Sequence, residues 1–135
     1  MKLHTFIILS LAFLSFTTFD QDKIKIQILK PVEKWVHAPL DTIWIEADVR
    51  SSEQLHNISI EVLNLNDNIV LYNKNIHTHA NAAHVKEFFI NPLLEKKGLT
   101  LTIKTNDHDG NITASQKVNF STAAVWKSPR KKKTK

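Results

Sequence analysis

Apolar and polar residues alternate with a period of two along most of this chain. The clearest stretch is residues 99–120, where two alternating runs flank the tripeptide Asp109-Gly110-Asn111. Successive side chains of a strand point to opposite faces, so alternation on both sides of a glycine-containing turn predicts a β-hairpin. We expect this hairpin to form the last two strands of a sheet.

Five further runs with strand-like patterns precede the hairpin, and they cover residues 23–29, 41–49, 57–65, 69–76 and 84–90. In the second run the pattern predicts an inward face of Ile43, Ile45, Ala47 and Val49. Residues Leu93–Lys97 predict one helical turn. Seven short strands separated by turn signals predict an all-β fold, an antiparallel immunoglobulin-like β-sandwich. A small β-barrel is the alternative.

The two ends of the chain differ from the middle in composition. Lys2 is followed by an apolar run over residues 6–16, which is the length of a signal-peptide core and shorter than the roughly 20 residues of a membrane span. We therefore predict a signal peptide at residues 1–19, with an uncleaved anchor as the alternative. The β-sandwich domain is predicted at 20–122 and a basic, mostly disordered tail at 123–135. Export predicts a secreted, periplasmic or cell-surface protein.

The charge of the chain is divided between the predicted domain and the tail. All 13 Asp and Glu residues lie between Asp20 and Asp109, so the net charge of +5 comes from the C-terminal end. The basic residues of that tail are Lys127, Arg130, Lys131, Lys132, Lys133 and Lys135. Such a tail can bind anionic surfaces, or it can simply solubilise the chain end. The predicted export argues against nucleic acid as the partner.

The strand pattern also resembles a known class of domain. The strand ending at Pro31, the later Ile43-Trp44-Ile45 segment and the Asp107–Asn111 turn resemble bacterial immunoglobulin-like surface modules of the fibronectin type III style. The similarity covers about residues 24–120. The glycine often found before the second strand and the tryptophan on the third are absent. The resemblance implies binding of a protein or a sugar, or a spacer role.

Histidines are concentrated in the segments that join the predicted strands. In an immunoglobulin-like topology several of these loops meet at one end of the sandwich. That end would then hold His77, His79, His84 and His108, with His56 nearby. Imidazole nitrogens bind Zn²⁺ and Cu²⁺, so we predict a metal site formed by His77 and His79 with either His84 or His108. The alternative is a set of solvent-exposed loop histidines.

Other chemistry is weakly represented in the sequence. Asp107 and Asp109 resemble calcium ligands, but the distal glutamate of a calcium loop is missing and a hairpin turn explains both residues. There are no cysteines, which excludes disulfides, thiolate metal sites and a lipid anchor on an N-terminal cysteine. None of the common hydrolase, zinc-protease or phosphate-loop motifs occurs, and we predict that the protein is not an enzyme.

Two tryptophans are candidates for contacts with a partner. Trp44 is predicted to point outward from its strand, and Trp35 lies in the long connection before it. An exposed tryptophan can anchor a sugar or a protein. The leading hypothesis is therefore an exported, non-catalytic binding module that recognises a protein or glycan at the cell envelope. The alternatives are a small extracytoplasmic metal-binding protein and an accessory structural protein without a ligand.

Overall fold

A computed structural model describes residues 23–126, and the predicted signal peptide and the basic residues from Lys127 onward lie outside this range. The described residues form eight strands and no helix. The strands are β1 (Ile24–Lys30), β2 (Val36–His37), β3 (Thr42–Ser51), β4 (Leu55–Asn64), β5 (Val70–His77), β6 (Ala82–Ile90), β7 (Gly98–Asp107) and β8 (Thr113–Thr122). Within this part of the chain, no helix of the length and hydrophobicity needed to cross a membrane is found.

The strands form two sheets. One has three strands in the order β1-β3-β6, and the other has five in the order β2-β8-β7-β4-β5. Every neighbouring pair is antiparallel except β2 and β8, which run parallel over two residues. The prediction of an all-β antiparallel sandwich is confirmed, with one more strand than expected.

The core lies between the sheets and is built from alternate residues of each strand. The inward residues of β3 predicted from the pattern, Ile43, Ile45, Ala47 and Val49, are all fully buried. The opposite sheet contributes a matching layer from β4 and β7. Burial of these apolar surfaces is the main stabilising contribution to such a fold, at roughly 25 cal/mol per Å². The alternation therefore reports real burial.

The connection between β1 and β3 contains the strand that the pattern did not predict. Strand β2 is short because it is held by its neighbour rather than by alternation of its own. Backbone N–H groups of Ser121 and Ala123 donate to the carbonyls of Trp35 and His37, both at 2.8 Å. These bonds hold the connection against the edge of β8.

The helical turn predicted at Leu93–Lys97 is wrong. This segment bonds to the end of β8 instead: Thr122 Oγ1 donates to the Glu95 carbonyl at 2.8 Å and accepts the Lys97 N–H at 3.1 Å. Val125 N–H donates to the Leu94 carbonyl at 3.0 Å. Long-range partners thus take the groups that a helix would pair internally. The bond from Val125 also lies three residues beyond the predicted domain end at residue 122.

Candidate metal centre

A β-bulge at the start of β4 sets the direction of the His56 side chain. Leu55 pairs with Asp107 and Asn57 pairs with Asn106, so His56 is the extra residue between two consecutive partners on β7. A bulge leaves its extra residue outside the regular register and turns its side chain away from the direction that alternation would give it. His56 therefore belongs neither to the buried row of β4 nor to its exposed row.

The segment that follows β5 wraps over His56. The N–H of Thr78 donates to the His56 carbonyl at 3.1 Å, and the N–H of Leu55 donates to the Ala80 carbonyl at 3.1 Å. Two backbone bonds thus hold the residues on either side of His79 against the start of β4. His77, at the end of β5, and His79, two residues later, consequently lie beside His56.

The three imidazoles converge. Nε2 of His77 and Nε2 of His79 are 3.0 Å apart. The ring of His56 lies 4.6 Å from that of His77 and 5.9 Å from that of His79, measured between centroids. One nitrogen from each of the three residues lies within 4.8 Å of the others. Two nitrogens on a tetrahedral zinc ion at bond lengths of 2.0–2.1 Å are about 3.3 Å apart, so side-chain movements of the order of 1 Å would complete the geometry. We call His56, His77 and His79 the histidine triad.

His108 lies at the margin of the triad. Its ring centroid is 5.3 Å from that of His56 and 5.4 Å from that of His79. The backbone N–H of His108 donates to the Gln54 carbonyl at 2.9 Å, which ties the β7–β8 turn to the start of β4. Its Nδ1 is 3.6 Å from the Asp109 carboxylate. His108 is thus close enough to approach an ion held by the triad.

The electrostatics of the site favour neutral imidazoles. Burial lowers the pKa of His56, and the neighbouring charges of His77, His108 and His79 lower it further. Its Nδ1 is buried and has no hydrogen-bond partner among the described residues. A neutral imidazole is the form that binds metals, and a metal ion is one way to satisfy a buried nitrogen.

The predicted ligands are partly brought together. His77 and His79 lie in the triad and His108 lies beside it, but His84 does not. His84 is in β6 opposite Asp48, and its Nδ1 is 2.8 Å from the Asp48 carboxylate. Alternation along β6 puts this side chain on the outer face of the three-stranded sheet, where an ion pair explains it.

His56 was not among the predicted ligands, although the sequence carries a sign of its role. Leu55 and Ile58 are both buried, yet they are three residues apart and therefore out of phase for a regular strand. Such a break in the period of two indicates a bulge. His56 lies at that break.

Asp107 serves the turn rather than an ion. Its carboxylate accepts the Ile112 N–H at 2.9 Å, and its carbonyl accepts the Gly110 N–H at 3.2 Å. Gly110 has a positive φ of 71°, which suits glycine. The hairpin interpretation thus accounts for Asp107 and Gly110, and the neighbouring Asp109 is exposed beside His108.

Trp35 and Trp44 line one pocket. Trp44 points outward from β3 and packs against Phe88 with 5.3 Å between the ring centroids. Trp35 comes from the connection before β3. The basic residues predicted to contact anionic surfaces lie outside the described range.

Comparison with known proteins gives no relative: the sequence matches no protein-family model and no curated protein.

Proposed function

We propose that this protein binds a divalent transition-metal ion, Zn²⁺ or Cu²⁺, through the histidine triad. The observation that carries the proposal is the convergence of one nitrogen each from His56, His77 and His79 to within 4.8 Å. The three residues come from a bulge, a strand end and a loop, so tertiary contacts are needed to bring them together.

The chemistry of the donors favours these two ions. Imidazole nitrogen suits zinc, copper and nickel, whereas calcium and magnesium prefer oxygen ligands. The chain has no cysteine, so soft thiolate sites are excluded. Copper(II) binds nitrogen sites more tightly than zinc does, and the metal available in its compartment decides which ion occupies the site.

Three protein ligands leave a fourth position on a tetrahedral ion. His108 is the nearest further imidazole, with its ring centroid 5.3 Å from that of His56. If His108 moves in, the site is closed, as in structural zinc sites; if water takes the position, the ion is open to exchange. With the predicted export, either arrangement describes a small extracytoplasmic metal-binding protein without catalysis.

Metal analysis of the full chain, purified without an oligohistidine tag, tests the proposal. We expect about one Zn²⁺ or Cu²⁺ per chain, confirmed by titration calorimetry. His77→Ala or His79→Ala should weaken binding by about 100-fold or more, because each removes one of three ligands. His84→Ala is the matched control, since this exposed histidine bonds to Asp48 away from the triad.

Two results would overturn the proposal. One is a chain that holds neither ion and gives no heat with either. The other is an equal loss of binding in His84→Ala and His77→Ala, which would indicate non-specific binding to surface histidines. Far-UV circular dichroism of each variant checks that the sheets are intact.

A further inference from the structure

A second candidate ligand site lies at the other end of the sandwich. Trp44 is six residues before Arg50 on β3, a distance of roughly 20 Å along an extended strand. Ser51, which follows Arg50, accepts a backbone bond from its own N–H to the Asn81 carbonyl in the loop after the triad. The pocket lined by Trp35 and Trp44 is therefore separate from the triad and shares no residue with it.

The pocket has a broad aromatic and apolar surface. The side chains of Trp35 and Trp44 are 52% and 43% exposed, and Pro31 and Val36 extend the apolar lining. Half-exposed indole rings in a pocket are available to a ligand, while their other sides are supported by the protein. Trp35 rests against His37 at 5.6 Å, just as Trp44 rests against Phe88.

The connection that carries Trp35 is held in place before any ligand arrives. Besides the bonds from Ser121 and Ala123, Lys34 N–H donates to the Asn119 carbonyl at 2.8 Å. Further along, Asn91 Nδ2 donates to the Ala38 carbonyl at 2.9 Å. A preorganised site loses less conformational entropy on binding, so modest contacts can give measurable affinity.

The charged groups at the rim are balanced. Lys30 Nζ is 3.2 Å from the Glu46 carboxylate, and His37 Nδ1 is 3.7 Å from the Asp41 carboxylate. The described pocket therefore has no surplus of positive or negative charge to select an ion. The rim nevertheless offers both acceptors and donors, from the exposed Asp41 carboxylate and the Thr42 hydroxyl.

We propose that this pocket binds a neutral glycan chain, with a pyranose ring stacked on the indoles of Trp35 and Trp44. A pyranose has apolar C–H faces and a rim of hydroxyls that both donate and accept hydrogen bonds. This combination matches two aromatic faces bordered by a carboxylate and a hydroxyl. The balanced charges favour a neutral sugar over an acidic one.

A proline-rich peptide is the main competing ligand, because such peptides also bind aromatic grooves. Proline has no backbone N–H and offers only carbonyl acceptors. The Asp41 carboxylate, which only accepts, would then face groups that cannot donate to it. Hydroxyls satisfy it, so the rim favours the glycan.

Titration of the full chain with cellohexaose, mannohexaose, chitohexaose and maltohexaose tests this proposal, with calorimetry and tryptophan fluorescence as readouts. We expect at least one of these sugars to bind with a dissociation constant of about 1 mM or tighter. Trp35→Ala and Trp44→Ala should each weaken it about tenfold or more. Trp44→Phe keeps an aromatic face and should retain most of the affinity.

The matched control is Trp126→Ala, which removes a tryptophan that is 81% exposed and does not line the pocket. It should leave sugar binding unchanged. The proposal is overturned if none of the four sugars binds by about 10 mM, if Trp126→Ala weakens binding as much as Trp44→Ala, or if a polyproline peptide binds more tightly than every sugar. Unchanged sugar binding in His77→Ala would support a site separate from the triad.

Discussion

Tyr72 on β5 donates a hydrogen bond from its hydroxyl to the Glu87 carboxylate on β6, at 3.2 Å. Strand β5 is the edge of the five-stranded sheet and β6 is the edge of the three-stranded sheet, so this bond joins the two sheets at their rim. Lys74 also bonds to Glu87, at 2.7 Å, and the Tyr72 ring stacks on Phe89. The contact gives a direct probe of how the sheets are held together.

The ionisation of Tyr72 provides the first prediction. Burial raises its pKa above the ordinary value of 10.0, and the charge of Glu87 and its hydrogen bond raise it further. Because the folded pKa exceeds the unfolded one, stability should be constant below pH 10 and fall as the pH rises above it. Tyr72 is the single tyrosine of the chain, so ultraviolet titration of tyrosinate reports this residue alone.

Glu87→Gln should lower the pKa of Tyr72 without restoring 10.0 in full, because burial remains. Tyr72→Phe should remove the residue's contribution to the loss of stability at high pH. A pKa of Tyr72 at its ordinary value in the wild-type protein would contradict the contact between the two sheet edges.

Metal binding to the triad should stabilise the folded protein. A ligand that binds the native state alone adds about 2.7 kcal/mol to the free energy of unfolding at a free concentration of 100 times its dissociation constant. We expect Zn²⁺ or Cu²⁺ to raise the melting temperature by calorimetry and a chelator to reverse the change. His79→Ala should abolish the increase, and His84→Ala should leave it intact.

His108 should contribute less to metal affinity than the triad does. Its nitrogens are not among those that lie within 4.8 Å of one another, so it approaches the ion only after a side-chain movement. His108→Ala should therefore keep a stoichiometry of one ion and weaken binding less than His77→Ala does, as measured by calorimetric titration. Equal losses in the two variants would instead make His108 a full ligand.

Asn91 is a buried polar residue that ties together the β6–β7 connection and the segment before β3. Its Nδ2 donates to the Ala38 carbonyl at 2.9 Å, and its Oδ1 accepts the Leu93 N–H at 3.0 Å. Asn91→Ala removes both bonds, and we expect a loss of about 1–3 kcal/mol in the free energy of unfolding, measured with urea. The exposed Asn73 on β5 is the control, and Asn73→Ala should change stability by about 0.5 kcal/mol or less.

Gly110 tests the β7–β8 turn. Its φ is 71°, and an added Cβ would meet no atom within 4 Å, so the cost of Gly110→Ala comes from the backbone conformation alone. We expect a loss of about 1 kcal/mol by urea unfolding and a smaller loss for Gly110→Asn. Gly98→Ala is the counterpart within β7. Its Cβ would lie 3.6 Å from Leu65, an ordinary contact, so this change should not destabilise the protein. A similar loss in Gly98→Ala and Gly110→Ala would contradict the assigned turn.

Local pattern accounted for most of the strands because alternation depends on neighbouring residues. The inward row of β3 and the outward Trp44 follow directly from a period of two. The same local reasoning failed at Leu93–Lys97. The partners of that segment, Thr122 and Val125, are about 30 residues further along the chain, and no local rule contains them.

The candidate sites divide in the same way. The sequence by itself determined the seven long strands, the buried face of most of them, and the pairing of His77 with His79 by their spacing of two residues. Tertiary structure alone decided that His56 joins them and His84 does not, because a bulge is defined by the register of β4 against β7 and an outer face by the sheet a strand enters. It also decided that Trp35 and Trp44 share a pocket, since the bonds of β2 to β8 bring the first beside the second. Alternation is a property of adjacent residues, whereas register and docking depend on partners distant in sequence.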